Sequence, residues 1–128
     1  MTFTHFQTLI HLINSEKEII SLNSGTFLYR RGEEGLCMYL VKSGAVKIFA
    51  CDGLVEIGRE GTIVGEESLL SARPRMANVI AITDCTVIPI DHMQLESLIK
   101  LIPDLSLVIQ GVSDRRKEIH HGVHQSLA

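Results

Sequence analysis

Tryptophan is absent from this 128-residue chain, and tyrosine (two) and phenylalanine (four) are scarce. The core must therefore be mostly Ile, Leu and Val. Cysteine is equally thin: Cys37, Cys51 and Cys85 are an odd number without CxxC spacing, which suits reduced structural thiols and gives no cluster for an iron–sulfur sensor. A surplus of one charge is also missing. Twelve Lys and Arg stand against fifteen Asp and Glu, for a net charge of −3 and a pI of about 6.0. That excludes a broad basic face for duplex nucleic acid, yet one local cation could still hold a small anion. No apolar run approaches the ~18 residues of a membrane helix. Residues 1–13 mix Thr, His and Gln with apolar residues and lack the basic start of a signal sequence. The expectation is a soluble, cytoplasmic protein with no membrane contact.

The chain is 45% hydrophobic with ten glycines and three prolines, enough for one compact domain rich in tight turns. Residues 1–128 read as that single domain, in three zones. Phe3, Phe6, Ile10 and Ile13 recur at helical spacing and predict an N-terminal helix over 1–17. Residues 18–90 hold apolar, β-branched runs at 18–22, 26–29, 38–42, 45–49, 54–57, 79–82 and 86–90. Glycine turns separate them, with Asp52-Gly53 the clearest hairpin. Glu66 to Ser71 breaks this rhythm and reads as a turn of helix. From 91 to 128 the period is helical again. Asp91 can cap a first helix (Met93, Leu95, Leu98, Ile99) ending near Pro103. A second can start at Pro103-Asp104, with Leu105, Val108, Val112, Ile119 and Val123 close to a coiled-coil seam and Arg116 at the missing position. Gly111 and Gly122 weaken it. This helix could pack on its own barrel, form a dimer seam, or do both. The fold expected is mainly β with flanking helices: an antiparallel β-roll or jelly-roll barrel.

The informative stretch is 63–79. Gly65 lets backbone approach a ligand closely. A turn of helix after it would aim N–H groups at an anion. Arg75 follows Pro74 and offers a planar fork of donors suited to two phosphate oxygens. Glu66 is a carboxylate able to accept from a sugar hydroxyl. Together these describe a pocket for a ribose-phosphate.

Gly65-Glu66, then Pro74-Arg75 with Ala77 and Val79, closely resembles the phosphate-binding cassette of cyclic nucleotide-binding domains. The flanks are similar too: Gly25 with Phe27 to Gly35, Met38 to Val46 with Gly44, and Val87-Ile88-Pro89-Ile90-Asp91 before paired C-terminal helices. The resemblance covers nearly the whole chain and is nearest the sensor domain of bacterial catabolite activators. It implies that Arg75 pairs with the cyclic phosphate, that Glu66 accepts from the ribose 2′-hydroxyl, and that the N–H groups of Gly65, Glu67 and Ser68 line the sugar-phosphate. Met76 and Ala77 complete the expected ligand-binding set. More loosely, the last helix would bring Arg116, His120 and His121 to the phosphate or base. Two departures stand out. Met76 replaces a small residue, often Ala, Ser or Thr, so a hydroxyl linked with cGMP preference is missing. Leu36 stands where the family usually has Asp, a change at a turn.

The resemblance implies a non-catalytic sensor with no cofactor and no metal. Its ligand would be a cyclic purine mononucleotide, cAMP ahead of cGMP, and its output movement of the C-terminal helices. A homodimer through the last helix, or an effector domain or protein, would read that movement. The alternative is the same fold without nucleotide, used as an interaction or dimerisation scaffold. A cupin-like metal enzyme is disfavoured because His5, His11, His92, His120, His121 and His124 all fall in the helical zones. No serine lies in a G-x-S-x-G elbow. Arg115-Arg116-Lys117 reads most simply as a solvated basic face.

Overall fold

The structure, a computed structural model, describes residues 19–50, 53 and 55–127, and side chains as far as 116. The helix expected over 1–17 lies outside these residues. Eight strands follow the glycine punctuation: β1 (Ile20–Leu22), β2 (Phe27–Tyr29), β3 (Cys37–Ser43), β4 (Val46–Phe49), β5 (Val55–Gly58), β6 (Ile63–Val64), β7 (Asn78–Ala81) and β8 (Cys85–Asp91). Three helices interrupt or follow them: α1 (Glu66–Ser71), α2 (His92–Leu101) and α3 (Leu105–Leu127). The strands form two four-stranded antiparallel sheets, ordered β1-β8-β3-β6 and β2-β7-β4-β5. This is a jelly roll with flanking helices, as the sequence pattern predicts.

The register explains the composition. Val46 pairs with Gly58 and Phe49 with Val55, so β4 and β5, the strands that flank Asp52-Gly53, do form a hairpin. The central strands of the first sheet, β8 and β3, are covered on both faces. Val41 and Val87 point into a cluster between the sheets with Val46, Val64 and Val79. Met38, Leu40, Ile88 and Ile90 point the other way and pack with Leu69 of α1, Leu95 and Leu98 of α2, and Leu105 and Ile109 of α3. A strand covered on both sides loses its polar alternation, which is why β8 reads as nearly continuous apolar sequence. Strand β6 is not among the runs that the sequence pattern marks as strands. Its two residues, Ile63 and Val64, pair with Leu40 and Tyr39 and are too few to show a period.

Asp91 caps α2 as expected. Its side chain accepts from the Gln94 backbone N–H at 2.9 Å, and the Gln94 side chain accepts from the Asp91 N–H at 2.8 Å, a full capping box. Along α3 the barrel takes the apolar stripe first: Leu105, Ile109 and Ser113 are buried, and Val108 and Val112 are half-buried. Of the stripe read as a coiled-coil seam, Leu105 packs on its own barrel and Val108 and Val112 stay half-buried, while the Ile119 and Val123 side chains lie outside the described residues. None of the described helices is long and apolar enough to cross a membrane.

Candidate functional site

Gly65 is the N-cap of α1; its φ of 79° lies in the left-handed region, and no side chain among the described residues caps the first turn. An L side chain here would be strained, and its Cβ would run into Nη1 of Arg75. The helix ends at Ala72, whose φ of 52° makes it the one non-glycine left-handed residue among those described. This sharp stop returns the chain through Pro74 to Arg75.

The Arg75 backbone is fastened on both sides. Its N–H donates to the Glu33 carbonyl and its carbonyl accepts from the Gly32 N–H, each at 2.8 Å. Its side chain is 4% exposed. Nη1 donates to the Gly65 carbonyl at 3.2 Å and Nη2 to the Cys37 carbonyl at 2.7 Å. Nε is buried with no hydrogen-bond partner among the described residues. The guanidinium carbon sits 4.1 Å from the centre of the Tyr29 ring and 5.5 Å from that of Tyr39. Gly35 closes another side, since a Cβ there would lie 2.8 Å from the guanidinium carbon and 2.5 Å from Ser68 Cβ.

Glu66, the first residue of α1, is 3% exposed. One of its oxygens accepts from Arg116 Nη1 at 2.7 Å, and Arg116 also grips Glu56 of β5 in bidentate fashion at 3.0 and 3.1 Å. Burial alone would lower the Arg116 pKa, but the Glu66 and Glu56 carboxylates outweigh it and raise it. The basic run 115–117 is therefore not a uniformly solvated face. Arg115 is exposed, whereas Arg116 turns inward to two carboxylates. One turn earlier, the buried Ser113 hydroxyl donates to Glu67. Helix α3 thus holds two successive side chains of α1.

Among the expected residues, Gly65, Glu66, Glu67, Ser68, Arg75 and Arg116 lie in this one linked cluster. Ser68 is buried against Gly35. Ala77 is half-buried and packs on the inter-sheet cluster. Met76 is 55% exposed, so it does not plug the site. His120 and His121 are carried by α3, but their side chains lie outside the described residues. Sequence reasoning missed Tyr29, Tyr39, Glu56 and Ser113. The two tyrosines had a signal, being the chain's only ones. Glu56 and Ser113 had none, because their role depends on the register of β5 and the rotation of α3.

A jelly roll that carries a glycine-capped short helix, a buried arginine after a proline and two C-terminal helices packed against it is a β-roll with flanking helices. The family model of the cyclic nucleotide-binding domain matches residues 19–101, and the chain belongs to that family. It is 33% identical over 82 residues to a cAMP-dependent protein kinase regulatory subunit of Eremothecium gossypii, covering 64% of this chain and 18% of that protein. It is 29% identical over 94 residues to a cyclic nucleotide-gated potassium channel of Rhizobium etli, covering 73% of this chain and 26% of the channel. The chain therefore spans about a quarter or less of the length of these relatives. Among solved structures, the Thermus thermophilus catabolite activator protein superposes with a TM-score of 0.76 at 22% identity, over 99% of this chain and 60% of that one. A second cyclic nucleotide-binding domain of a protein kinase A regulatory subunit, bound to Sp-2Cl-cAMPS, superposes with a TM-score of 0.71 at 19% identity, over 93% and 88%. At these identities the structural likeness shows the fold.

Proposed function

We propose that this domain is a non-catalytic sensor that binds a cyclic purine mononucleotide, cAMP in preference to cGMP, and signals through its C-terminal helices. The observation that carries the reading is Arg75: a buried guanidinium that, among the described residues, is met by neutral carbonyls and tyrosines but by no carboxylate, and whose Nε has no hydrogen-bond partner. A buried cation without a carboxylate is costly, and a cyclic phosphate monoanion would neutralise it. In the bound state Arg75 pairs with the phosphate, the N–H groups of Gly65, Glu67 and Ser68 line the sugar-phosphate, and Glu66 accepts from the 2′-hydroxyl. Met76 and Ala77 flank the ligand, and His120 and His121 are read as base contacts from α3. The preference for cAMP rests on Met76, which brings no hydroxyl, and on the kinase regulatory subunits among the relatives.

Signalling follows from the wiring. Any ligand contact to Glu66 competes with Arg116, so ligand and α3 share one carboxylate. A hundredfold difference in affinity between the two positions of α3 would supply about 2.7 kcal/mol of coupling. The output is read by a second copy of the chain through α3, or by an effector domain or protein. The net charge of −3 weighs against direct nucleic-acid binding by this domain, which is read as the single unit 1–128 of a cytoplasmic protein.

One observation favours the scaffold alternative: Arg75 and Glu66 already have partners within the protein. The unpartnered Nε of Arg75 argues the other way. Calorimetry with cAMP and cGMP decides. Saturable heat, tighter for cAMP, supports the sensor; no heat and no thermal shift at millimolar nucleotide would sink it.

A further inference from the structure

Among the described residues, Arg75 has no carboxylate against its guanidinium; the ion pairs of the site run from Arg116 to Glu56 and Glu66. What faces Arg75 is aromatic. Tyr29 of β2 and Tyr39 of β3 belong to different sheets, and their rings stack at 6.1 Å with 28° between planes. The guanidinium carbon lies within cation–π distance of both ring centres. Gly35 and Gly65 crowd the cation from other sides, so its place is fixed by contact as well as by charge.

From this geometry we infer that Tyr29 and Tyr39 form an aromatic seat that positions Arg75 for an anionic phosphodiester, in place of an acidic partner. The inference rests on the proposed nucleotide site and deepens it. A carboxylate would neutralise Arg75 and have to be displaced by the incoming phosphate. Ring faces and backbone carbonyls hold the guanidinium while leaving its full charge available to the ligand. Tyr29 is the decisive member because its ring lies nearer. The tyrosines are positioning residues, acting through Arg75.

The test uses two substitutions and two readouts on the full chain. Tyr29→Phe keeps the ring, whereas Tyr29→Leu removes it, with Tyr29→Met as a longer apolar substitute should the leucine variant unfold. Nitrogen-15 NMR of the Arg75 Nε–H group reports the seat without ligand, and calorimetry with cAMP reports binding. The expected result is a ring-shifted, slowly exchanging Nε–H signal in wild type and Tyr29→Phe. That signal should be lost in Tyr29→Leu, with cAMP affinity about tenfold weaker and restored by phenylalanine. An unchanged Nε–H signal in Tyr29→Leu, or undiminished affinity in that variant, overturns the seat. Failure of wild type to bind any cyclic nucleotide instead overturns the functional reading, and the seat is then judged on the NMR signal alone.

Discussion

Nη1 of Arg116 lies 2.7 Å from the carboxylate of Glu66 and joins the middle of α3 to the first residue of α1. The same guanidinium holds Glu56 of β5. One cation of α3 therefore ties together α1 and β5, which lie 50 and 60 residues before it in the chain. Removing it as Arg116→Ala strands a carboxylate that is 3% exposed. Such a loss costs about 3 kcal/mol, the low end for a buried pair because the Arg116 side chain keeps 14% exposure. Urea unfolding should show that loss, and Arg116→Lys should recover only part of it.

Arg75→Ala should weaken cAMP and cGMP alike, by about 2–5 kcal/mol, by analogy with truncating one partner of a desolvated charge pair. Calorimetry measures the change. Equal affinity in wild type and variant would place the phosphate elsewhere.

Two glycines with similar φ provide a controlled comparison. A Cβ added at Gly25 (φ 89°) would meet nothing within 4 Å, whereas one added at Gly65 (φ 79°) would meet Arg75. Each alanine variant should lose about 1–2 kcal/mol of stability from left-handed strain. Only Gly65→Ala should also lose nucleotide affinity. Gly35→Ala, which carries no such strain but crowds Ser68 and Arg75, should lose affinity as well.

Burial pushes the Tyr39 phenol up to about 12, with its hydrogen bond to Cys37 adding to the effect. Burial also raises Tyr29, further still, against the pull of Arg75. Both groups stay protonated in the folded state at a pH where unfolded tyrosine, near 10, ionises. Their contribution is full below about pH 10 and declines as pH rises through 12 and beyond. Urea midpoints measured from pH 8 upward should fall in that window, less steeply for Tyr29→Phe. A flat profile would mean the phenols are solvated.

Ser113→Ala removes the hydroxyl that donates to Glu67. Loss of a hydrogen bond to a charged group costs about 1.5–3 kcal/mol. Hydrogen exchange should show the loosening first in α1.

Much of this fold was legible because its signals are local. The glycine turns, the Asp-Gly hairpin, the Asp91 cap and the Pro74-Arg75 step each depend on a few neighbouring residues. The cassette was legible for the same reason: Gly65, Glu66 and Arg75 lie close together along the chain. What stayed hidden depends on contacts between distant segments. Arg116 was expected near the ligand, but its pairing with Glu66 and Glu56 was not, because only the rotation of α3 against α1 and β5 sets it. Leu105 fits a dimer seam as well as a core, since helical spacing fixes a face without naming its partner. Strand β6, two residues long, exists because β3 offers it a partner.

The two backbone bonds that tie Arg75 to Gly32 and Glu33 restrict how this cation can answer a ligand. With its peptide groups anchored, the arginine responds by torsion about its own carbon–carbon bonds. For the proposed sensor this means that a ligand would meet an arginine whose main chain is already set, and only small torsional adjustments of the seated guanidinium would be needed to take it.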